Sequence, residues 1–405
     1  MNPLAWFVVQ WQDKREFGEP IWPSLRQAVR WHTRIKQTQL RDVSLRIQKR
    51  FWPRRAWAEP ISVVAARRAR QEGSHGISGF VELCAPEEVP IEPTDPLALL
   101  LLERCPPQTP LLSRRGFVCE LSGARLHIGE GLIVTRQKSL LLDSAFASYR
   151  LQRSRVLGQP LPNHLPLFES RVTSIHGLFD SNTYHWLVDA LPRLHSLEMA
   201  SQEPLTLLLP EGTSGYQLES LRLVLPDFIG LRQMPSGWIQ AEQFVFASYL
   251  TQAGCVSLPQ SHSEAVRRRV WERLGLSPDH IGTKRIFISR KGASSRHILN
   301  EDEVMETLHE FGFSSYRLEE LSFSDQVRLF HDVEIVVAPH GAGLANILFA
   351  PQTQVVELQS EAISHYFYLT QSLGHSYTRV MSPPRRNDNL LVSIPELKRV
   401  LTPLL

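Results

Sequence analysis

At 405 residues, with 42% hydrophobic and 21% charged side chains, the chain exceeds one ordinary core and suits two domains of about 150 residues each. A formal charge of +3 is nearly neutral and implies no acidic polymer as partner of the whole molecule. The four scattered cysteines (Cys84, Cys105, Cys119, Cys255) form no C-x-x-C pair and no metal-spaced set with histidine, which argues against a secreted disulfide framework and a structural zinc site.

Positive charge is concentrated near the N-terminus, where Arg26 to Arg50 holds eight Lys/Arg against the single acid Asp42. A helix is predicted there over Ser24–Lys49, with Trp31, Ile35, Val43 and Ile47 as an imperfect apolar stripe. A solvated helix packed on the body is the simpler reading, and peripheral contact with an anionic membrane surface is the alternative. No apolar run reaches the ~18 residues of a membrane span. The segment Leu4–Val9 has neither a preceding basic residue nor a following cleavage site. The expected location is therefore a reducing cytoplasm, with the inner face of the membrane within reach of the basic segment.

A Pro-rich acidic passage at Ala85–Pro93 reads as an extended connector. Ala124–Ile128 and Leu132–Thr135 flank Gly129-Glu130-Gly131 as a hairpin. Arg171–His176 is a strand, followed by a helix from Ser181. Strands at Leu205–Leu209 and Phe244–Tyr249 enclose a helix near Gln217–Leu225, giving alternating α/β with antiparallel additions. An Arg-rich helix, Ser263–Leu274, leads into a second region. That region alternates regularly: strands at Arg285–Ser289, Phe313–Arg317, Val333–Ala338, Gln354–Leu358 and Tyr377–Val380, with helices between them. Asn300 and Glu303 open the first of these helices as a capping-box-like start, and Gly312 follows its end. The pattern is that of a doubly wound parallel sheet.

Four constellations carry chemical interest. Val336–Asn346 runs from a β-branched strand through Pro339-His340-Gly341-Ala342-Gly343 into an apolar helix, the arrangement that aims free N–H groups and a helix dipole at phosphate. A tight turn would account for a glycine but requires neither His340 nor Asn346. Ile288-Ser289-Arg290-Lys291 ends another strand in two cations, of which Arg290 suits bidentate phosphate contact; a solvated basic loop including Arg296 is the alternative. Glu357, near the end of a third strand, could accept ribose hydroxyls or be an exposed edge acid. In Asn182–Arg193, one helical stripe is apolar (Tyr184, Leu187, Val188, Leu191, Leu194) and a second is polar (Asn182, His185, Asp189, Arg193). His185 and Asp189, one turn apart, make an oriented base pair or an ordinary surface contact. Pro192 removes a helical N–H and should bend the helix. No D-x-D, G-x-S-x-G, P-loop or H-E-x-x-H occurs, so a metal-independent site is expected.

The ordered set Asn182–Arg193, Ile288-Ser289-Arg290, Asn300-Glu301, Phe323…Gln326…Phe330 and Pro339–Asn346 resembles glycosyltransferase family 61 over about residues 165 to 380. The resemblance implies a GT-B-like α/β fold with two Rossmann-like domains facing a cleft. These would be an acceptor-side domain at 76–262 and a nucleotide-sugar domain at 263–405, preceded by a basic helical extension at 1–75. It implies an inverting transferase that moves a sugar from a nucleotide-diphosphate sugar, often a UDP-sugar in this family, to a glycan or glycolipid acceptor in surface polysaccharide (capsule) synthesis. Arg290, Lys291, His340, Gly341, Ala342, Gly343 and Asn346 would hold the donor, with Glu357 at the ribose. His185 or Asp189 would be the catalytic base. No organic cofactor and no nucleic acid is implied, and self-association into homo-oligomers is compatible with the sequence. The rival is a non-catalytic sugar-nucleotide-binding subunit of a polysaccharide assembly complex.

Overall fold

A computed structural model describes residues 58–68, 70–87, 113–146, 151, 154–157, 159–251, 257–293, 295–360, 365–383, 385 and 388–405. The expected basic helix at 24–49 and most of the Pro-rich connector lie outside the described residues. Arg54–Leu405 forms one compact unit.

The first half builds a 9-stranded mixed sheet, in the order β1-β5-β4-β3-β9-β6-β7-β8 with β2 also on β3. Its antiparallel part begins with β1 (Ala58–Ile61), the short helices α1 (Val63–Arg68) and α2 (Glu72–His75), and β2 (Ile77–Cys84). Residues 58–75, expected as part of a helical extension, thus supply a strand that pairs with β5. β3 (Gly116–Ile128) turns back into β4 (Ile133–Val134) as the expected hairpin, and β5 (Ser139–Leu141) follows. β6 (Leu167–Thr173) starts the parallel part; the segment His185–Ala190 and α3 (Arg193–Ala200) then lead to β7 (Leu205–Pro210). α4 (Gly215–Val224), β8 (Ile229–Met234) and β9 (Gly237–Ala247) complete the sheet. The expectation of two Rossmann-like domains therefore needs correcting: this half is mixed, with β3 and β9 joined antiparallel along ten residue pairs.

α5 (Gln260–Leu274) separates the halves. The second sheet comprises β10 (Lys284–Ile288), α6 (Glu301–Glu310), β11 (Phe313–Tyr316), α7 (Phe323–His331) and β12 (Val333–Pro339). A 3₁₀ segment (Ala342–Phe349), β13 (Gln354–Gln359), α8 (His365–Leu373), β14 (Ser376–Met381) and α9 (Ile394–Leu401) follow. Its 5 strands are all parallel, in the order β11-β10-β12-β13-β14. Counted within the sheet this is 2-1-3-4-5, so the winding direction reverses between β10 and β12, and a crevice opens at their carboxyl ends.

One apolar core serves both sheets. Leu207, Leu209 and Val245 of the first join Ile286, Val336 and Val355 of the second, together with Trp186, Trp271 and Phe349. The arginines of α5, which read in the sequence as a domain lead-in, act as a strap. Arg267 Nε donates to Leu348 O (2.9 Å) and Arg273 Nη1 to Arg222 O (2.7 Å), satisfying carbonyls at the ends of the 3₁₀ segment and α4. On the same side Glu219 of α4 accepts the N–H groups of Phe323 and Ser324, each at 3.0 Å, and so caps α7. Asn300 does not form the expected capping box; its amide instead stitches both backbone groups of Val392.

Candidate active site

Arg290 and His340 emerge from neighbouring strands, β10 and β12, at the reversal point of the second sheet. His340 N donates to Leu358 O at 3.0 Å, which holds the loop start against β13. Gly341 is extended (φ 179), and neither Gly341 nor Gly343 has positive φ. Their requirement is space. A β-carbon on Gly341 would overlap Arg290 Nη1 and come within 3.0 Å of its Cζ, while one on Gly343 would press on Leu318 Cδ1 at 2.9 Å. Tyr366 of α8, fully buried, donates its hydroxyl to Gly341 O at 2.5 Å. The loop is therefore pinned from three sides, and the segment after it is a 3₁₀ turn, not the expected α-helix.

His340 Nδ1 faces Glu357 Oε1 at 2.5 Å, and Tyr377 Oη donates to Glu357 Oε2 at 2.6 Å. By accepting the Nδ1 proton in a hydrogen bond, the carboxylate fixes the imidazole tautomer and leaves Nε2 as the ring's other polar atom. Glu357, 0% exposed and inside β13, has both oxygens engaged. These contacts let it orient His340, and a ribose would have to share the same two oxygens. Three other residues expected at the donor have side-chain contacts of their own in the protein. Lys291 is exposed and pairs with Asp302 at 2.7 Å. Ala342 packs on the shared core. Asn346, 0% exposed, donates to Gln326 Oε1 (2.9 Å) and Gly343 O (3.0 Å), holding the 3₁₀ turn.

Pro192 does interrupt the helix, as expected. Upstream the turn widens, with Leu191 N reaching Trp186 O five residues back, and α3 restarts at Arg193. His185 Nδ1 lies 2.6 Å from Asp189 Oδ2, and Thr251 Oγ1 donates to Asp189 Oδ1. Asp189 is 3% exposed. Arg193, expected on the cleft edge, instead turns inward: it donates to Ala247 O (2.6 Å) and Ile175 O (2.8 Å), and its guanidinium lies 4.4 Å from the Tyr249 ring centroid. Burial pushes its pKa down, and burial pushes the Asp180 carboxyl well above the usual range. A recess opens beside the His185–Asp189 pair, lined by Phe146, Phe179, Asp180, His185, Asp189 and Tyr249. The rings of Phe146, Tyr184 and Phe179 surround His185 at 5.4–5.9 Å.

Tyr184 links the two halves of the site. Its ring lies 5.4 Å from His185 and 5.6 Å from Tyr366, which in turn stands 5.5 Å from His340. Thr251, Tyr366 and Tyr377 belong to no motif and went unseen in the sequence; only their distant partners reveal them. Among the described residues no group of three or more His, Cys, Asp or Glu side chains could hold a metal ion, and no helix is long and apolar enough to cross a membrane.

Comparison with known proteins points the same way as the geometry. EGF domain-specific O-linked N-acetylglucosamine transferase from Mus musculus is 33% identical over 99 residues, covering 23% of this chain and 19% of that protein. The Bos taurus protein of that name is 35% identical over 80 residues, covering 18% of this chain and 15% of the relative. The chain thus spans about a fifth of the length of the curated relatives it matches. The family described as Glycosyltransferase 61 matches residues 183–356, from the turn before His185 to the strand that carries Glu357. Through that region the chain is similar to glycosyltransferase family 61.

Proposed function

We propose that this chain is an inverting, metal-independent glycosyltransferase that moves a sugar from a nucleoside-diphosphate sugar to a hydroxyl of a glycan or glycolipid acceptor. The observation that carries the reading is the convergence of Arg290, His340 and the Gly341 loop at the reversal point of a parallel sheet, where such folds bind phosphorylated ligands. UDP-N-acetylglucosamine is the first donor to test, because the relatives are named as N-acetylglucosamine transferases.

In this reading His185 is the base and Asp189 its orienting partner, since Asp189 is enclosed and bonded at both oxygens. The acceptor O–H gives its proton to His185 Nε2 as its oxygen bonds the anomeric carbon. The bond from that carbon to the diphosphate breaks, and the electron pair leaves with the phosphate oxygen. Arg290 and His340 stabilise the departing charge, the task a divalent cation performs elsewhere. The shared core and the α5 strap make the halves one packed body, so water is excluded by local closure around the donor.

The test is a thermal-shift panel of nucleotides and nucleotide sugars with EDTA controls, followed by turnover with simple glycosides. Stabilisation by one nucleoside diphosphate, unaffected by EDTA, and inverted product are expected. Loss of binding in EDTA refutes metal independence. Donor binding with neither transfer nor donor hydrolysis supports a non-catalytic sugar-nucleotide-binding subunit instead.

A further inference from the structure

Arg290, packed against the Gly341 loop, lies near enough to Arg296 for the two charges to repel, with Glu319 the one carboxylate that also acts on Arg290. Arg290 Nη2 donates to Ser295 O at 3.3 Å, a bond that brings the following residue, Arg296, back towards Arg290. Arg290 Nε is shielded from solvent and has no hydrogen-bond partner. Among the described residues neither arginine is in an ion pair, although Lys291 pairs with Asp302 and Arg317 with Glu319 and Glu320 close by. Burial first, and then repulsion from Arg296, push the Arg290 pKa down; both arginines also act on the buried Tyr366 hydroxyl. Arg296 in addition holds a left-handed backbone (φ 59), a conformation that costs a residue with a side chain about 1 kcal/mol.

Like charges brought together, a shielded N–H without an acceptor and a strained backbone all disfavour the free protein. A ligand with two adjacent negative charges relieves the first two. We infer that Arg296 is a second phosphate contact of the donor site, pairing with Arg290 across a diphosphate and selecting that linkage over a monophosphate. The inference rests on the nucleotide-sugar reading above and adds to it a residue and a basis for donor selection.

Calorimetric titration of the full chain with inorganic pyrophosphate, inorganic phosphate, UDP and UMP tests it, in the wild type, Arg296→Asn and Arg296→Lys. Asparagine tolerates the left-handed backbone and removes the charge, so it should fold without loss of thermal stability. The expected result is a fall of about 10-fold or more in affinity for UDP and pyrophosphate in Arg296→Asn, with UMP and phosphate within about twofold. Arg296→Lys should recover part of the loss, because it keeps the charge but not the fork. Unchanged UDP and pyrophosphate affinity in a normally folded Arg296→Asn overturns the inference while leaving the donor site in place. Equal loss for UMP and UDP also overturns it, since selection is then absent. If the wild type binds none of the four probes, the donor-site reading itself fails and the inference falls with it.

Discussion

Glu357 lies behind the His340 ring, its Oε1 2.5 Å from Nδ1, and it is itself fully enclosed between β12 and β14. A buried carboxylate is costly unless its oxygens are occupied, and here one takes the imidazole N–H and the other the Tyr377 hydroxyl. Glu357→Gln keeps the shape but can accept only at its amide oxygen, so one of the two hydrogen bonds is lost or reversed and the charge behind the His340 ring is removed. Affinity for UDP and for inorganic pyrophosphate should fall together, by roughly 10-fold, as expected for weakening one charge-assisted contact. A ribose contact would leave pyrophosphate binding untouched, so the ratio of the two losses decides between the roles.

Gly341→Ala probes space, since its extended backbone suits any residue. The added methyl has no room beside the Arg290 guanidinium, which must then leave the loop. Overpacking of this kind costs about 1–3 kcal/mol. We expect a lowered thermal midpoint and loss of most diphosphate affinity, measured by denaturation and titration. Gly374→Ala serves as a control at a position with no nearby atoms but φ of 74; it should lose stability through backbone strain and leave diphosphate affinity intact.

The second sheet was legible in the sequence because its strands are buried, β-branched runs such as Val333–Ala338, punctuated by helices with polar faces. The register of those runs put Arg290 and His340 at adjacent strand ends. The first sheet was less legible. β8, Ile-Gly-Leu-Arg-Gln-Met, is exposed along most of its length and has no periodic signal, and β9 begins seven residues before the apolar run that announces it. Side-chain commitments were the least legible. A motif can set Asn346 or Lys291 beside a phosphate loop, but Gln326 and Asp302 claim those side chains from elsewhere in the chain. The His185–Asp189 pair was readable because its partners are one helical turn apart; Thr251, its third member, is 62 residues from Asp189.

That third member has a testable role as a positioning residue. Thr251→Val is nearly isosteric and deletes the hydroxyl that donates to Asp189. Asp189 would then hold His185 less firmly, and turnover should drop about 10-fold, the usual order for a hydrogen bond to a charged group. Donor affinity should not change, because Thr251 has no part in the Arg290 loop, and Thr251→Ser should restore turnover. Equal loss of donor affinity and turnover, or failure of serine to rescue, would refute positioning. His185→Ala should behave as the extreme case, binding UDP normally and transferring little.

Acid sensitivity follows from a histidine outside the chemistry. His375, 4% exposed, uses Nε2 on Ile347 O at 2.9 Å, and burial pushes its pKa from 6.5 down to about 4. The unfolded chain takes up a proton near pH 6.5 and the folded one near pH 4. Between those values the unfolded state binds more protons, so the neutral ring's contribution is complete above pH 6.5 and is lost as pH falls towards 4. At about 1.4 kcal/mol per pH unit, the contribution is on the order of 3 kcal/mol. The buried Asp180 and Asp143, whose carboxyls are raised by burial, shift stability the opposite way, but equally in both proteins of a matched pair. Urea denaturation of wild type and His375→Gln at pH 7 and pH 4.5 isolates the histidine. Glutamine can keep a donor near Ile347 O and does not titrate, so the wild type should lose more stability than the variant on acidification. Parallel losses would mean that His375 takes up its proton in the folded state as readily as in the unfolded one.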